Sequence, residues 1–238
     1  MGSALDDAIA YIDHLIQRIS LSTPKETPHN SSKHNTSVRK ESKHGTPASS
    51  SNASGNNKAT TGRPVESNSE MEEIFTKAQI QVGYIEEVYN HPASEKLYIC
   101  KVQVAEGETR QVVAGLRKYF SASELQGKMV CIVANLKPAK LAGQLSEAMV
   151  LAGEASQPNG ELIVKVLEPP SDAAIGERIF IEARQPSSNP VKQLSSKVWE
   201  KIVSLLRVEA GIAKFDGKPI ATSTGPVKVP ELSDGSIH

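Results

Sequence analysis

Almost no apolar side chain occurs between residues 22 and 70 of this 238-residue chain. The stretch is built from Ser, Thr, Asn, Lys, His, Pro and Gly, including a run of small polar residues over 49–57. Such a segment cannot bury enough apolar surface to offset the entropy lost when its backbone is ordered. We therefore predict a disordered linker over residues 23–72, which confines the main core to the residues that follow.

The first 22 residues form a separate predicted element. Apolar side chains recur every three or four residues and fall on one face of a helix: Leu5, Ile9, Ile12, Ile16 and Ile19. We predict an amphipathic helix over residues 1–22, whose isoleucine face needs a cover. A second copy in a short coiled coil, another protein to which the helix docks, and the chain's own folded domain are all compatible with the pattern.

From residue 73 onward, apolar and polar residues alternate as in half-buried strands. The pattern predicts strands over 79–88, 97–104, 109–114, 128–134 and 148–151, joined by a loop over 135–147. A capping box of Ser121 and Glu124 opens a short helix between the third and fourth strands. Three strands, a helix and two strands is the order of an OB-fold β-barrel. We predict a mainly β protein with this barrel over residues 73–182, which further strands at 162–167 and 178–181 extend or close.

Residues 183–238 make up a last section. The apolar spacing over 198–206 predicts an amphipathic helix, and residues 215–218 (FDGK) predict a hairpin turn. A section this short does not easily hold a core of its own. We expect an α+β extension that packs on the barrel.

Charge is distributed unevenly along the chain. The whole sequence has 27 basic and 27 acidic residues, so a global excess of positive charge does not drive binding to nucleic acid. Residues 96–140, however, hold eight basic and three acidic residues, a local charge of +5. We therefore expect a local, salt-sensitive interaction with phosphate groups on this part of the barrel.

The sequence contains no recognisable catalytic or cofactor motif. It has no P-loop, no G-x-G-x-x-G and no zinc-ligand spacing, and neither His91 nor His238 has an acid or nucleophile at a recognisable spacing. We expect no enzymatic activity, no cofactor and no metal.

No run approaches the roughly 20 apolar residues that cross a bilayer, and residues 1–22 lack a signal-peptide pattern. We expect a cytoplasmic protein without a membrane partner.

OB-folds bind oligonucleotides with strands two and three and with the loops between strands 1–2 and 4–5. The second of these loops, 135–147, supplies most of the candidates. Those suited to phosphate, sugar or base contact are Asn135, Lys137, Lys140 and Ser146, followed by Met149 as an apolar platform. Turn chemistry is the alternative for Asn135, and burial in the core is the alternative for Met149. The predicted site also includes Arg110, Lys118 and Lys128.

Several short motifs follow one another in this part of the chain. They are Ile80-Gln81-Val82-Gly83, His91-Pro92, Ser94, Lys96-Leu97-Tyr98, residues 110–116 (RQVVAGL), residues 135–141 (NLKPAKL), and Ser146 with Met149. In this combination the chain resembles the tRNA-binding domain shared by the C-termini of bacterial methionyl-tRNA synthetases and by endothelial monocyte-activating polypeptide II. The last section resembles that of the polypeptide II type at residues 197–200, 215–219 and 233–237.

The resemblance implies that tRNA is bound by shape at the outer corner of the L. It places Asn135, Lys137, Lys140 and the Ser146/Met149 pair in the tRNA-facing loop. It also implies that the last section imitates the dimer interface of the shorter bacterial forms, which makes one chain a pseudo-dimer. Family members often carry Arg and Gly where this chain has Ala142 and Ala148.

Two functional hypotheses follow. The first is a non-catalytic, structure-specific tRNA-binding auxiliary protein of translation, which supplies tRNA to an aminoacyl-tRNA synthetase, such as the methionyl enzyme, or to a synthetase complex. The N-terminal helix is then the docking element. The alternative is a protein-interaction scaffold of a synthetase complex with little tRNA affinity of its own, which the zero net charge and Ala142 favour. An extracellular signalling fragment is a third interpretation, against which the missing signal-peptide pattern weighs.

Overall fold

The computed structural model describes residues 68–182 and 192–238. The predicted N-terminal helix over 1–22 and most of the predicted linker lie outside the described residues. Within them, the helices are α1 (Asn68–Thr76), α2 (Ala122–Leu125) and α3 (Ser196–Leu205). The strands up to residue 182 are β1 (Ile80–Asn90), β2 (Tyr98–Ala105), β3 (Glu108–Ala114), β4 (Met129–Val133), β5 (Ala139–Leu141), β6 (Gln144–Ser146), β7 (Met149–Val150), β8 (Ala152–Ser156), β9 (Leu162–Val166) and β10 (Phe180–Ile181). The later strands are β11 (Leu206–Glu209), β12 (Ile212–Phe215), β13 (Lys218–Thr222), β14 (Gly225–Pro226) and β15 (Asp234–Ile237).

The first sheet forms the half of the barrel that carries the candidate site. Its strand order is β3-β2-β1-β4-β7, and every pairing is antiparallel. Helix α2 connects β3 to β4 and begins with the predicted capping box, in which the Ser121 hydroxyl accepts from the Glu124 amide and the Glu124 carboxylate accepts from the Ser121 amide. The prediction of a mainly β, OB-like fold is confirmed.

Strand β4 is apolar on both faces. An antiparallel strand with one solvated face alternates apolar and polar residues, so β4 needs a cover on each side. Val130 and Ile132 belong to the core inside the barrel, which also contains Val102 and Leu125. Cys131 and Val133 belong to a second core on the other side of the strand. The barrel therefore requires a further layer.

The C-terminal section supplies that layer. The second core combines barrel residues with residues of α1, α3 and the later strands; among them are Phe75, Ile80, Leu151, Leu167, Trp199, Ile202, Leu206, Phe215, Val229 and Ile237. The rings of Phe75 and Phe215 have centroids 4.7 Å apart. Their contact joins the start of the described chain to the C-terminal section.

Helix α1 crosses the predicted boundary between the linker and the barrel at residue 72. Phe75 is 2% exposed and Glu72 is 7% exposed, and the Glu72 carboxylate accepts a hydrogen bond from the Lys218 ammonium. Residues 68–72 are thus helical and not linker. The preceding polar composition hid the helix, because its apolar face is defined by contacts with the C-terminal section more than 100 residues later.

The second sheet unites the barrel with the C-terminal section. Its order is β10-β13-β12-β11-β15-β8-β9, with β14 paired to β13. Strand β15 lies between β11 and β8, with Gly235 opposite Val208 and Ile237 opposite Gly153. The hairpin predicted at 215–218 is present between β12 and β13, where Asp216 and Gly217 both adopt positive φ as a two-residue hairpin turn requires.

Two parts of the barrel also differ from the sequence prediction. The predicted loop 135–147 contains the antiparallel hairpin β5–β6, whose Leu141–Gln144 pair closes around Ala142 and Gly143. These two turn residues have φ of 47° and 89°, and only the glycine favours such a value intrinsically. Strand β8 was also missed because its sequence, AGEAS, has no β-branched or aromatic residue. Its pairing with β9 and β15 specifies it instead.

Gly235 allows β15 to approach β8 closely. A Cβ atom at this position would overlap the backbone carbonyl oxygen of Glu154. We predict that Gly235→Ala lowers the free energy of unfolding by roughly 1–3 kcal/mol, because the two strands must move apart. Gly115→Ala is the matched control, since the nearest atom to its added Cβ is 4.0 Å away. Chemical denaturation of the two variants tests this, and equal stabilities would contradict it.

Candidate nucleic-acid interface

The β5–β6 hairpin lies along the free edge of β3. The Gln111 amide donates to the Glu147 carboxylate at 3.0 Å, and the Gln111 side-chain amide donates to the Leu145 carbonyl oxygen at 2.8 Å. The Glu147 amide donates in return to the Gln111 carbonyl oxygen at 2.9 Å. These bonds fix the hairpin against the strand that OB-folds use for oligonucleotide binding.

His91 fastens the hairpin from the other side. The ring is 3% exposed, and its Nδ1 accepts from the Ala93 amide at 3.1 Å. That bond leaves Nε2 as the protonated nitrogen, which donates to the Leu141 carbonyl oxygen at 3.3 Å. His91 therefore connects the loop after β1 to the end of β5. Sequence analysis found no chemical role for it because its partner is 50 residues away.

The two predicted lysines of this segment are exposed to solvent. Lys137 precedes β5, and Lys140 lies on β5 directly opposite Leu145, which is itself 41% exposed. Neither ammonium forms a salt bridge with an acidic residue of the described chain. The hairpin and the residue that leads into it thus present two ammonium groups without an acidic partner, and that of Lys140 lies opposite an exposed apolar side chain.

Asn135 does not face solvent, and its predicted direct contact needs correction. It is 5% exposed; its Oδ1 accepts from the Gln79 amide at 2.8 Å and its Nδ2 donates to the Lys77 carbonyl oxygen at 2.9 Å. Its own carbonyl oxygen accepts from the Leu194 amide at 2.7 Å. Asn135 therefore holds together the end of β4, the segment before β1 and the C-terminal section.

Ser146 and Met149 are likewise used inside the protein. Ser146 is 8% exposed, and its hydroxyl accepts from the Val113 amide at 3.0 Å while it donates to the Ala148 carbonyl oxygen at 2.9 Å. Met149 packs against the second core. Ser146 ends β6, and its hydroxyl is occupied by these internal bonds instead of the predicted ligand contact. Met149 lies half-buried on β7, so its predicted ligand contact stays a prediction.

The three remaining predicted residues differ in their surroundings. The Arg110 guanidinium donates to the Ala134 carbonyl oxygen at 2.6 Å and forms a salt bridge with Glu108 at 2.7 Å. Lys128 forms a salt bridge with Glu168 at 2.5 Å. Lys118 is exposed, and its Nζ lies 5.8 Å from the centroid of the Tyr119 ring. Acidic neighbours therefore compensate two of the three charges.

The described residues offer little for other chemistry. No group of three His, Cys, Asp or Glu side chains in 68–182 or 192–238 is arranged to hold a metal ion. Burial raises the pKa of the Cys100 thiol to about 12 and also raises that of Cys131, so both are protonated thiols at neutral pH. None of the helices described here has the length and apolar character needed to cross a membrane.

Comparison with known proteins agrees with this geometry. Residues 80–178 match the family model described as "Putative tRNA binding domain". The chain is similar to the crystal structure of the C-terminal domain of Plasmodium vivax p43, with a TM-score of 0.63 and 33% sequence identity. The superposition covers 69% of this chain and 98% of the p43 domain. The chain belongs to this tRNA-binding-domain family.

Within the family the chain is similar to parts of two larger proteins. It is 38% identical over 165 residues to the cytoplasmic methionine–tRNA ligase of Arabidopsis thaliana, a match that spans 69% of this chain and 20% of the ligase. It is 35% identical over 147 residues to the mouse (Mus musculus) aminoacyl tRNA synthase complex-interacting multifunctional protein 1, across 60% of this chain and 45% of that protein. The chain thus spans less than half of these curated relatives.

We predict that Asn135→Ala lowers the free energy of unfolding by roughly 1–3 kcal/mol, because the Gln79 amide and the Lys77 carbonyl oxygen lose their buried partner. Asn159→Ala is the control, since the bonds of Asn159 with Glu161 are exposed to water and their loss costs about 0.5 kcal/mol or less. Urea denaturation of both variants measures the difference. An Asn135 variant as stable as the control would show that these bonds do not hold the segments together.

His91→Ala should loosen the hairpin without disturbing the first sheet. Loss of the bond to Leu141 is expected to speed amide hydrogen exchange in β5 and β6 roughly two- to tenfold, while exchange in the β1–β2 ladder stays the same. Lys140→Ala, an exposed substitution in the same hairpin, serves as the control and should leave the exchange unchanged. Uniformly faster exchange throughout the first sheet would contradict a local tether.

Proposed function

We propose that this protein is a non-catalytic, structure-specific tRNA-binding auxiliary factor of translation. The observation that carries the proposal is a pair of exposed ammonium groups without a salt-bridge partner in the described residues, that of Lys140 on the hairpin and that of Lys137 just before it. Hydrogen bonds fasten this hairpin to the OB-fold. The family match supports tRNA as the ligand class of that surface. Lys118 is a third exposed cation of the proposed surface.

The proposed mechanism is electrostatic and depends on shape. Lysine ammonium groups neutralise backbone phosphates and release counterions, which requires no base recognition. Asn135, Ser146 and His91 act indirectly, because they hold the hairpin and its neighbours in one arrangement. A fixed arrangement of charges selects an RNA by the spacing of its phosphates, as expected for recognition of tRNA by its folded shape.

The proposal extends to the setting in which the protein works. A similar domain is part of a cytoplasmic methionine–tRNA ligase and of a protein named for its interaction with a synthetase complex. We infer that this chain delivers tRNA to such a synthetase or complex in the cytoplasm, with residues 1–22 as the docking helix and 23–67 as its tether. In this proposal the C-terminal section, residues 183–238, covers the barrel in place of a second subunit.

A scaffold function is the second candidate. Arg110 forms a salt bridge with Glu108, and Lys128 forms one with Glu168. The barrel therefore has fewer unpaired basic side chains than its sequence predicts. In that case the domain holds synthetase-complex proteins together and has little tRNA affinity of its own. Titration of the full chain with bulk tRNA at low salt separates the two, because a scaffold forms no complex at micromolar protein.

We predict that the double variant Lys137→Ala/Lys140→Ala binds bulk tRNA roughly tenfold or more weakly than the parent protein. Two fewer phosphate contacts should also reduce the slope of log K against log salt by about 1.4–1.8. Filter binding between 50 and 200 mM salt measures both quantities.

The double variant Arg207→Ala/Lys228→Ala is the charge-matched control for this experiment. Both residues are exposed and lie on or beside the second sheet, which shares no strand pairing with the hairpin in the described residues. Its affinity and salt slope should stay close to those of the parent protein. If both double variants lose affinity equally, net charge and not the hairpin governs binding, and the assignment of the site is wrong.

A further inference from the structure

The C-terminal section meets the start of the candidate site directly. The Leu194 amide donates to the Asn135 carbonyl oxygen at 2.7 Å, and Leu136 and Leu194 form a parallel β-bridge. Paired backbones lie about 4.8 Å apart. Leu194 therefore lies beside residues 135 and 136, immediately before the hairpin begins.

Both of these adjoining segments carry exposed lysines. Lys192 precedes the bridge and Lys197 lies in the first turn of α3, whose N-cap is Ser195. Lys137 follows Leu136 on the barrel side and leads into β5. We call Lys137, Lys192 and Lys197 the junction strip. None of the three forms a salt bridge within the described residues.

The acidic residues near the strip do not cancel its positive charge. Glu200 is exposed one turn after Lys197 on α3, and Glu73 is exposed on α1, whose C-terminal end leads to Lys77 and the Asn135 contact. Glu108 is already paired with Arg110 at 2.7 Å. Each of the three lysines lies within three residues of the bridge between Leu136 and Leu194, and residues 192–199 contain no acidic residue.

We propose that the junction strip is a second phosphate-binding surface for the tRNA backbone, continuous with the hairpin through Lys137. This inference rests on the proposed function and assigns the C-terminal section a direct part in RNA binding in addition to covering the barrel. The hydrogen bond between Leu194 and Asn135 sets the position of the strip relative to the hairpin. The two surfaces together form a longer track than the hairpin alone, and a longer track neutralises more phosphates of one folded RNA.

The test is the double variant Lys192→Ala/Lys197→Ala in the full chain, measured with bulk tRNA by filter binding across a range of salt. We expect roughly a tenfold loss of affinity at low salt and a reduction of the salt slope by about 1.4–1.8. Lys192→Arg/Lys197→Arg should keep the parent affinity and slope, because it keeps both charges. Since the side chains are exposed, the thermal midpoints of all variants should match that of the parent protein.

The possible results distinguish the junction strip from the tRNA-binding function on which it rests. Loss of affinity in the Ala pair, retention in the Arg pair and no effect of Arg207→Ala/Lys228→Ala support the junction strip. If the Lys192/Lys197 pair binds like the parent while Lys137→Ala/Lys140→Ala is impaired, the strip is overturned and the tRNA-binding function stands. If the parent protein forms no complex with tRNA at micromolar concentration and low salt, both the function and the strip are overturned.

Discussion

The architecture depends on a strand that has no polar face. Because β4 is apolar on both sides, the barrel interior covers Val130 and Ile132 but leaves Cys131 and Val133 in need of a second layer. The C-terminal section, together with α1, provides that layer and shares a sheet with the barrel through β15. The section is consequently part of the core and not an appendage. Its position against the barrel also determines what lies next to the candidate site.

The polar residues of the site divide into two tasks. Asn135, Ser146 and His91 are buried, and each side chain forms a hydrogen bond with a backbone group of a distant segment. Lys137 and Lys140 remain free of acidic partners at the surface. This division suits a ligand recognised through its phosphates, because neutral hydrogen bonds position the hairpin and the exposed lysine ammonium groups attract the phosphates. A short motif in the sequence thus combines framework residues and contact residues.

The sequence predicted the strands of the first sheet, the capping box of α2 and the hairpin at 215–218, because period-2 alternation and turn chemistry are local signals. It missed β8 and the β5–β6 hairpin, whose residues become strands through pairing with other segments. For the site, the sequence indicated which residues cluster but not their orientation. The Gln79 and Lys77 partners of Asn135 and the Val113 partner of Ser146 lie 33 to 58 residues away, so only the folded chain shows that these two side chains are bonded within the protein. The pairing of Lys128 with Glu168, 40 residues away, is invisible in the sequence for the same reason. Arg110 instead pairs with Glu108, two residues earlier on the same face of β3.

The place of β15 has a consequence for biosynthesis. This strand occupies the middle of the second sheet, yet residues 234–237 are made after both of its neighbours, β8 and β11. On the ribosome, the strands of the first sheet are complete long before that, whereas β8 and β11 keep unpaired edges until the arriving segment fills the gap. Exposed edges of this kind invite pairing with other chains. A nascent chain of this protein therefore exposes the edges of β8 and β11 until residues 234–237 have left the ribosome and paired with both strands.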